Sequence, residues 1–188
     1  MMLQELSLLL NHVSANSSAG MYRQAIVDDN VLGKPTQTTR HRSAKRLAEL
    51  YALDPTCTLF RLLRHFWPAD PASQPMLAFL LAAARDPLLR EATPIALATK
   101  REEIVTAEAI GEELKHQYPG RFRPTTLHST AQNLASSWTQ AGYLRGKVRK
   151  QRTKPKVTPI VAAYALLLGY LCGSRGKLLL DSQWTRLL

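Results

Sequence analysis

Ile104–Thr158 reads IVTAEAIGEELKHQYPGRFRPTTLHSTAQNLASSWTQAGYLRGKVRKQRTKPKVT. Within it Ala107, Ile110, Leu114 and Tyr118 recur at helical spacing, while Glu108, Glu112 and Glu113 fall on the other side, which predicts an amphipathic helix. Tyr118-Pro119-Gly120 ends it, since proline restricts the residue before it and glycine frees the turn. A second helix is expected from near Thr125. Leu127, Ala131, Leu134, Trp138 and Ala141 form its inner stripe. Its opposite face carries Ser129, Gln132, Asn133, Ser136 and Gln140, all polar and none charged. A face meant only for water usually shows Glu and Lys, whereas amides and hydroxyls suit the donor and acceptor pattern of base edges.

Leu144 to Arg149 then alternates apolar or small with basic, the period of a strand with one face packed and one presented. Lys150 to Lys154 are expected to form a loop, with Lys156-Val157 starting the return strand. Helix, turn, helix and basic hairpin is the order of a winged helix-turn-helix. The expected fold class is therefore all-α, mainly helical, with a small β-hairpin wing.

Charge supports a polyanionic partner. The chain carries 25 Lys and Arg against 14 Asp and Glu, a formal net charge of +11. No Asp or Glu occurs from Leu114 to Leu180. Arg121, Arg123, Arg145, Lys147, Arg149, Lys150, Arg152, Lys154 and Lys156 lie inside that interval and are the expected phosphate contacts to double-stranded DNA. Ser129, Gln132, Asn133, Ser136 and Gln140 are the candidates for reading bases. RNA stays open as an alternative polyanion, and so does a winged helix used as a protein adaptor.

Outside this stretch the reading is of helices. Leu3 to Val13 is expected to bury Leu3, Leu6, Leu9 or Leu10 and Val13. Ala19 to Asp29 should face inward with Met21, Tyr22, Ala25 and Ile26. Thr36 should cap a helix reaching about Leu53. The run Arg40-His41-Arg42-Ser43-Ala44-Lys45-Arg46 opens that helix, and Arg40, Arg42, Lys45 and Arg46 make a second basic site, read as a second helix-turn-helix, as the charged outer face of a bundle, as a surface for a partner protein, or as arginines tied to the acids of this half. Leu59 to Trp67 is a short, heavily apolar helix. Met76 to Arg85 is apolar on nearly all sides, and Leu88 to Ala98 is expected to be broken by Pro94. Lys100-Arg101-Glu102-Glu103 turns the composition polar, which places a boundary near Thr99: residues 1–99 as a helical N-terminal domain, and 100–188 as the winged domain with closing helices. Thr158-Pro159 starts a helix to Cys172 that should bury Ile160, Ala163, Tyr164, Leu167 and Leu171, and Leu178–Leu188 should close the domain through Trp184.

No enzyme, cofactor or metal is expected. His12, His41, His65, His116 and His128 lack partners at ligand spacing, and neither HExxH, CxxC nor a phosphate-cradling loop is present. Two cysteines, Cys57 and Cys172, do not make a disulfide scaffold, and the expected compartment is the cytoplasm. MMLQELSLLL lacks a signal-peptide pattern, and Ile160–Cys172 is short of the roughly 20 residues of a membrane span.

Five segments taken together resemble the BrxA family of BREX bacteriophage-exclusion systems: RHRSAKRLAELYALDP (Arg40–Pro55), LFRLLRHFW (Leu59–Trp67), ARDPLLR (Ala84–Arg90), TLHSTAQNLASSWTQAGYLRGKVRK (Thr126–Lys150) and TPIVAAYALLLGYLCGSRGKLLLDSQW (Thr158–Trp184). The likeness runs from about Met21 to Leu188 and is strongest in Asn133–Gly146. It implies a non-enzymatic DNA-binding component of a phage-defence operon that also encodes a DNA methyltransferase, with other BREX proteins as partners. Members have been compared with an RNA-binding antitermination protein and labelled inner-membrane proteins. The apolar lengths here speak against a membrane. The family offers no catalytic residues to carry over.

Overall fold

Thr36 starts the longest helix of the N-terminal half for a local reason. Its hydroxyl accepts from the Thr39 amide at 3.2 Å, and the Thr39 hydroxyl answers the Thr36 amide at 3.3 Å, a reciprocal cap. The computed structural model describes all 188 residues and places this helix third of nine. The N-terminal run is α1 (Leu3–His12), α2 (Ala19–Val27), α3 (Gln37–Tyr51), α4 (Thr58–Phe66), α5 (Gln74–Arg85) and α6 (Pro87–Ala98). Then follow β1 (Ile104–Val105), α7 (Ala107–Gln117), α8 (Pro124–Ala141), β2 (Leu144–Arg145), β3 (Lys150–Arg152) and α9 (Pro159–Leu171), with short 3-10 turns at 71–73, 176–179 and 185–187.

The centre of the molecule is α5. Met76 through Ala83 are all buried, as an all-apolar helix requires, and α3, α4, α6, α8 and α9 pack around it. The buried apolar residues form one cluster of 44, running from Leu6 to Leu187 without a break at position 99. Each large side chain fully buried here, such as Phe79 or Leu80, contributes about 1.5–3 kcal/mol. On α2 the expected core position Met21 points out instead, 54% exposed, while Tyr22, Ala25 and Ile26 are buried as expected.

Pro94 does not break α6. It lies on the exposed side, where water can serve the carbonyl one turn back, and the helix runs unbroken to Ala98. Beside it Thr93 is buried, donates its hydroxyl to Leu89 O at 2.6 Å and accepts from the Trp138 indole at 3.3 Å. That bond ties α6 to the centre of α8.

The three strands form an antiparallel sheet in the order β1-β3-β2, with Val105 opposite Lys150 and Arg145 opposite Gln151. The chain is thus mainly helical with a small three-stranded sheet. The hairpin is shorter than alternation along Leu144–Arg149 suggests. It reverses at Gly146–Arg149, and Lys150–Arg152 is already the return strand, whereas Lys156-Val157 is in no strand. Gly146 dictates this: its φ is +102°, and a Cβ there would sit 2.3 Å from the Arg149 carbonyl oxygen, so only glycine makes the turn. The pairing of β1 with β3 is a third strand that sequence periodicity does not reveal.

The Thr158 cap of α9 is present, its hydroxyl accepting from Val161 N at 3.3 Å. Of the expected stripe Tyr164 is buried, together with Val161, Ala165 and Leu168, while Ile160 and Leu167 are half-buried, so the inner side lies about one position on from the expected one. Ala163 and Leu171 face outward. Trp184 is buried and donates to Cys172 Sγ at 3.3 Å, and the Tyr143 hydroxyl donates to Leu187 O, which seals the C-terminal turns onto the sheet. No helix is long and apolar enough to cross a membrane.

Candidate nucleic-acid interface

Two helices and a hairpin converge on one face. Pro124 in the first turn of α8 fits where an amide would be unsatisfied, and Gly142, with φ +92°, ends the helix in the left-handed region. Ile110 and Leu114 of α7 are buried, as are Ala131, Leu134, Ala135 and Trp138 of α8, so the register of α8 agrees with its inner stripe. Ser129, Gln132, Asn133 and Ser136 are exposed. Gln132 shares a hydrogen bond of 2.9 Å with the His128 ring, and Ser129 donates to Thr126 O at 3.0 Å.

Gln140 differs from the others. Its Oε1 accepts from Leu3 N at 2.9 Å and its amide nitrogen donates to Ser136 Oγ at 3.2 Å. The C-terminal end of the polar face is therefore occupied by the start of α1, and the open part runs from Thr125 to Ser136. Gln140 leaves the base-reading set for that reason.

The hairpin tip stands beside this open part. Lys147, Val148 and Arg149 are exposed, Val148 at 91%. Between tip and helix lies a cleft of about 610 Å³, bordered by Thr106, Glu108, Gln132, Ser136, Lys147 and Arg149. Glu108 is its one carboxylate, held below the usual carboxylate pKa by its own backbone amide and by the Thr106 hydroxyl.

The other predicted cations separate into four groups. Arg121 stacks on Tyr118 and Phe122, with its guanidinium carbon 5.0 and 5.5 Å from the ring centroids, and Arg123 is exposed at the α8 N-cap. Lys154 and Lys156 are exposed beyond β3. Arg145 and Lys150 are partly engaged: Arg145 pairs with Glu102 at 2.6 Å and with Gln151, while Lys150 donates to Thr139 Oγ1 at 3.0 Å. Arg152 is a correction. It is 8% exposed, donating from Nε to Ala96 O at 2.7 Å and from a terminal nitrogen to Tyr143 O at 3.3 Å. Burial pulls its pKa down and pushes that of the Tyr143 phenol up. It binds β3 to α6 and offers nothing to a phosphate.

The second basic site is also divided. Arg40 donates to Val27 O and Lys34 O, closing the loop between α2 and α3. Arg46 pairs with Glu49 at 3.3 Å and Asp86 at 3.4 Å, and its side chain borders a pocket of about 340 Å³ shared with Asn133 and Ser136. Arg42 and Lys45 are exposed without an acidic partner. Sequence reading misses Arg23, which stands across a cleft from Lys45. The connection Asp28–Thr36 is longer than the three- to four-residue turn of a helix-turn-helix. Compared with known proteins, the chain matches no family model and no curated sequence.

Proposed function

We propose that this chain binds duplex DNA through a winged helix-turn-helix formed by α6, β1, α7, α8 and the β2–β3 hairpin, with α8 in the major groove and Lys147 and Arg149 on phosphates. The observation that carries this reading is the uncharged polar face of α8, open from Thr125 to Ser136, beside a hairpin tip bearing two unpaired cations. The pairing of β1 with β3 supports it, since it ties the hairpin to the strand that leads into α7. A duplex would meet Arg121, Arg123, Lys147 and Arg149 along its backbone, and Gln132 and Asn133 would reach base edges, where either amide pairs bidentately with adenine. RNA duplexes are the weaker partner in this reading, because their major groove is too deep and narrow for a helix.

The resemblance to BrxA extends the proposal: a non-enzymatic component of a phage-exclusion system, working on DNA alongside that system's other proteins. An adaptor role for the same surface draws support from Val148 and from Ile104, apolar and exposed next to the cleft. Selection from randomised duplexes with the wild type and with Gln132→Ala/Asn133→Ala separates the two. DNA reading predicts an enriched motif, containing A·T steps, that flattens in the double variant while total binding persists. An adaptor predicts no enrichment in either and loss of a co-purifying protein in the variant.

A further inference from the structure

The cations of α3 divide between two faces. Toward α8, Arg46 is held by Glu49 and Asp86. Away from α8, Arg23 of α2 and His41 and Lys45 of α3 rim a cleft of about 380 Å³. All three side chains are exposed, none makes an ion pair, and no carboxylate lines the cleft. Its floor is apolar: Ile26 and Leu53 are packed beneath it, and Ala19, Ala48 and Ala52 leave apolar surface open to solvent.

A phosphate backbone would satisfy the rim but leave that floor wet. An apolar ligand alone would cover the floor but leave Arg23 and Lys45 without counter-charge. The lining asks for both, and the alanines of α3 leave a shallow trough along the helix rather than a closed hole. A cavity of about 150 Å³ holds a benzene-sized group, so this one accepts roughly two apolar side chains. We infer that the α2–α3 cleft docks a short amphipathic helix of a partner protein, inserting two apolar side chains three or four residues apart and setting Asp or Glu against Arg23, His41 and Lys45. This is the helix-in-groove mode, with charge deciding partner and orientation. The surface is separate from the α8 face and does not depend on DNA binding there.

The test is a display library of random peptides panned on the full chain, with Arg23→Glu/Lys45→Glu and Ala48→Phe as comparison proteins. The double variant changes exposed side chains only, and Ala48→Phe fills the trough; circular dichroism and a melting curve check both. Enriched peptides are expected to carry two apolar residues at that spacing flanked by acids. They should lose at least tenfold in affinity to both variants, and duplex binding should be the same in all three proteins. Absence of any peptide that depends on the cleft, or enrichment of peptides without acids, overturns the inference. So does a loss of duplex binding in Arg23→Glu/Lys45→Glu, which would make the cleft part of a nucleic-acid surface.

Discussion

Replacing Arg152 by alanine distinguishes a structural arginine from a DNA-binding one within the same basic hairpin. The side chain is buried, and its guanidinium serves two carbonyls, Ala96 O of α6 at 2.7 Å and Tyr143 O, in the turn between α8 and β2, at 3.3 Å. A hydrogen bond from a charged donor contributes about 1.5–3 kcal/mol, and the longer one falls at or below the bottom of that range. With Ala96 O left unpaired, Tyr143 O keeping only its bond from the Thr153 amide, and the guanidinium gone from beside the Tyr143 ring, the loss is about 3 kcal/mol. For a chain of this length that corresponds to a drop in Tm of roughly 6–12 °C. Urea denaturation of wild type and Arg152→Ala reads the first number, and fluorescence anisotropy with a duplex below the transition reads the second property. The expected result is a clear loss of stability with an unchanged salt dependence of binding. Unchanged stability with a shallower salt slope would refute the buried assignment and return Arg152 to the exposed wing.

Lys147→Ala/Arg149→Ala should behave in the opposite way: Tm within about 1 °C of wild type, but a log–log salt slope reduced by about 2, since each phosphate contact accounts for about 0.9 on B-DNA. Trp138→Ala removes a fully buried indole and its bond to Thr93, at a cost of about 3–5 kcal/mol by denaturant titration; a cost under about 1 kcal/mol would contradict the packing of α8 on α6. Ala52 has φ +65°, a conformation that disfavours any side chain by about 1–2 kcal/mol. Ala52→Gly should therefore leave stability unchanged or raise it by up to about 1 kcal/mol, where the same change inside a helix would lower it by about that much.

What the sequence discloses depends on how local the cause is. The registers of α7 and α8 are legible because apolar and polar residues alternate at helical spacing, and the Thr36 and Thr158 caps because each motif lies within four residues. PIVAAYALLLGYL has no such contrast, so the buried side of α9 is set by what packs against it, and the stripe moves by one residue. Basic alternation after Leu144 imitates a strand, and the local sign of the turn, Gly146, is easily read as part of that alternation. Arg152 and Gln140 are not legible at all. Their partners, Ala96 O and Leu3 N, are 56 and 137 residues away, and nothing near either side chain marks it as engaged.

A grip on duplex phosphates by the α8 face and the hairpin tip is the core of the proposed function. Its most direct measurement is the affinity of the full chain for a fluorescent duplex of about 20 base pairs across 50–200 mM salt. Arg121, Arg123, Lys147, Arg149 and Lys154 are exposed and have no acidic partner, so four to five contacts are expected. A log–log slope of about −3.5 to −4.5 is expected, a loss of roughly two orders of magnitude or more over that range. No binding at 50 mM salt, or binding whose strength hardly changes with salt, would contradict it.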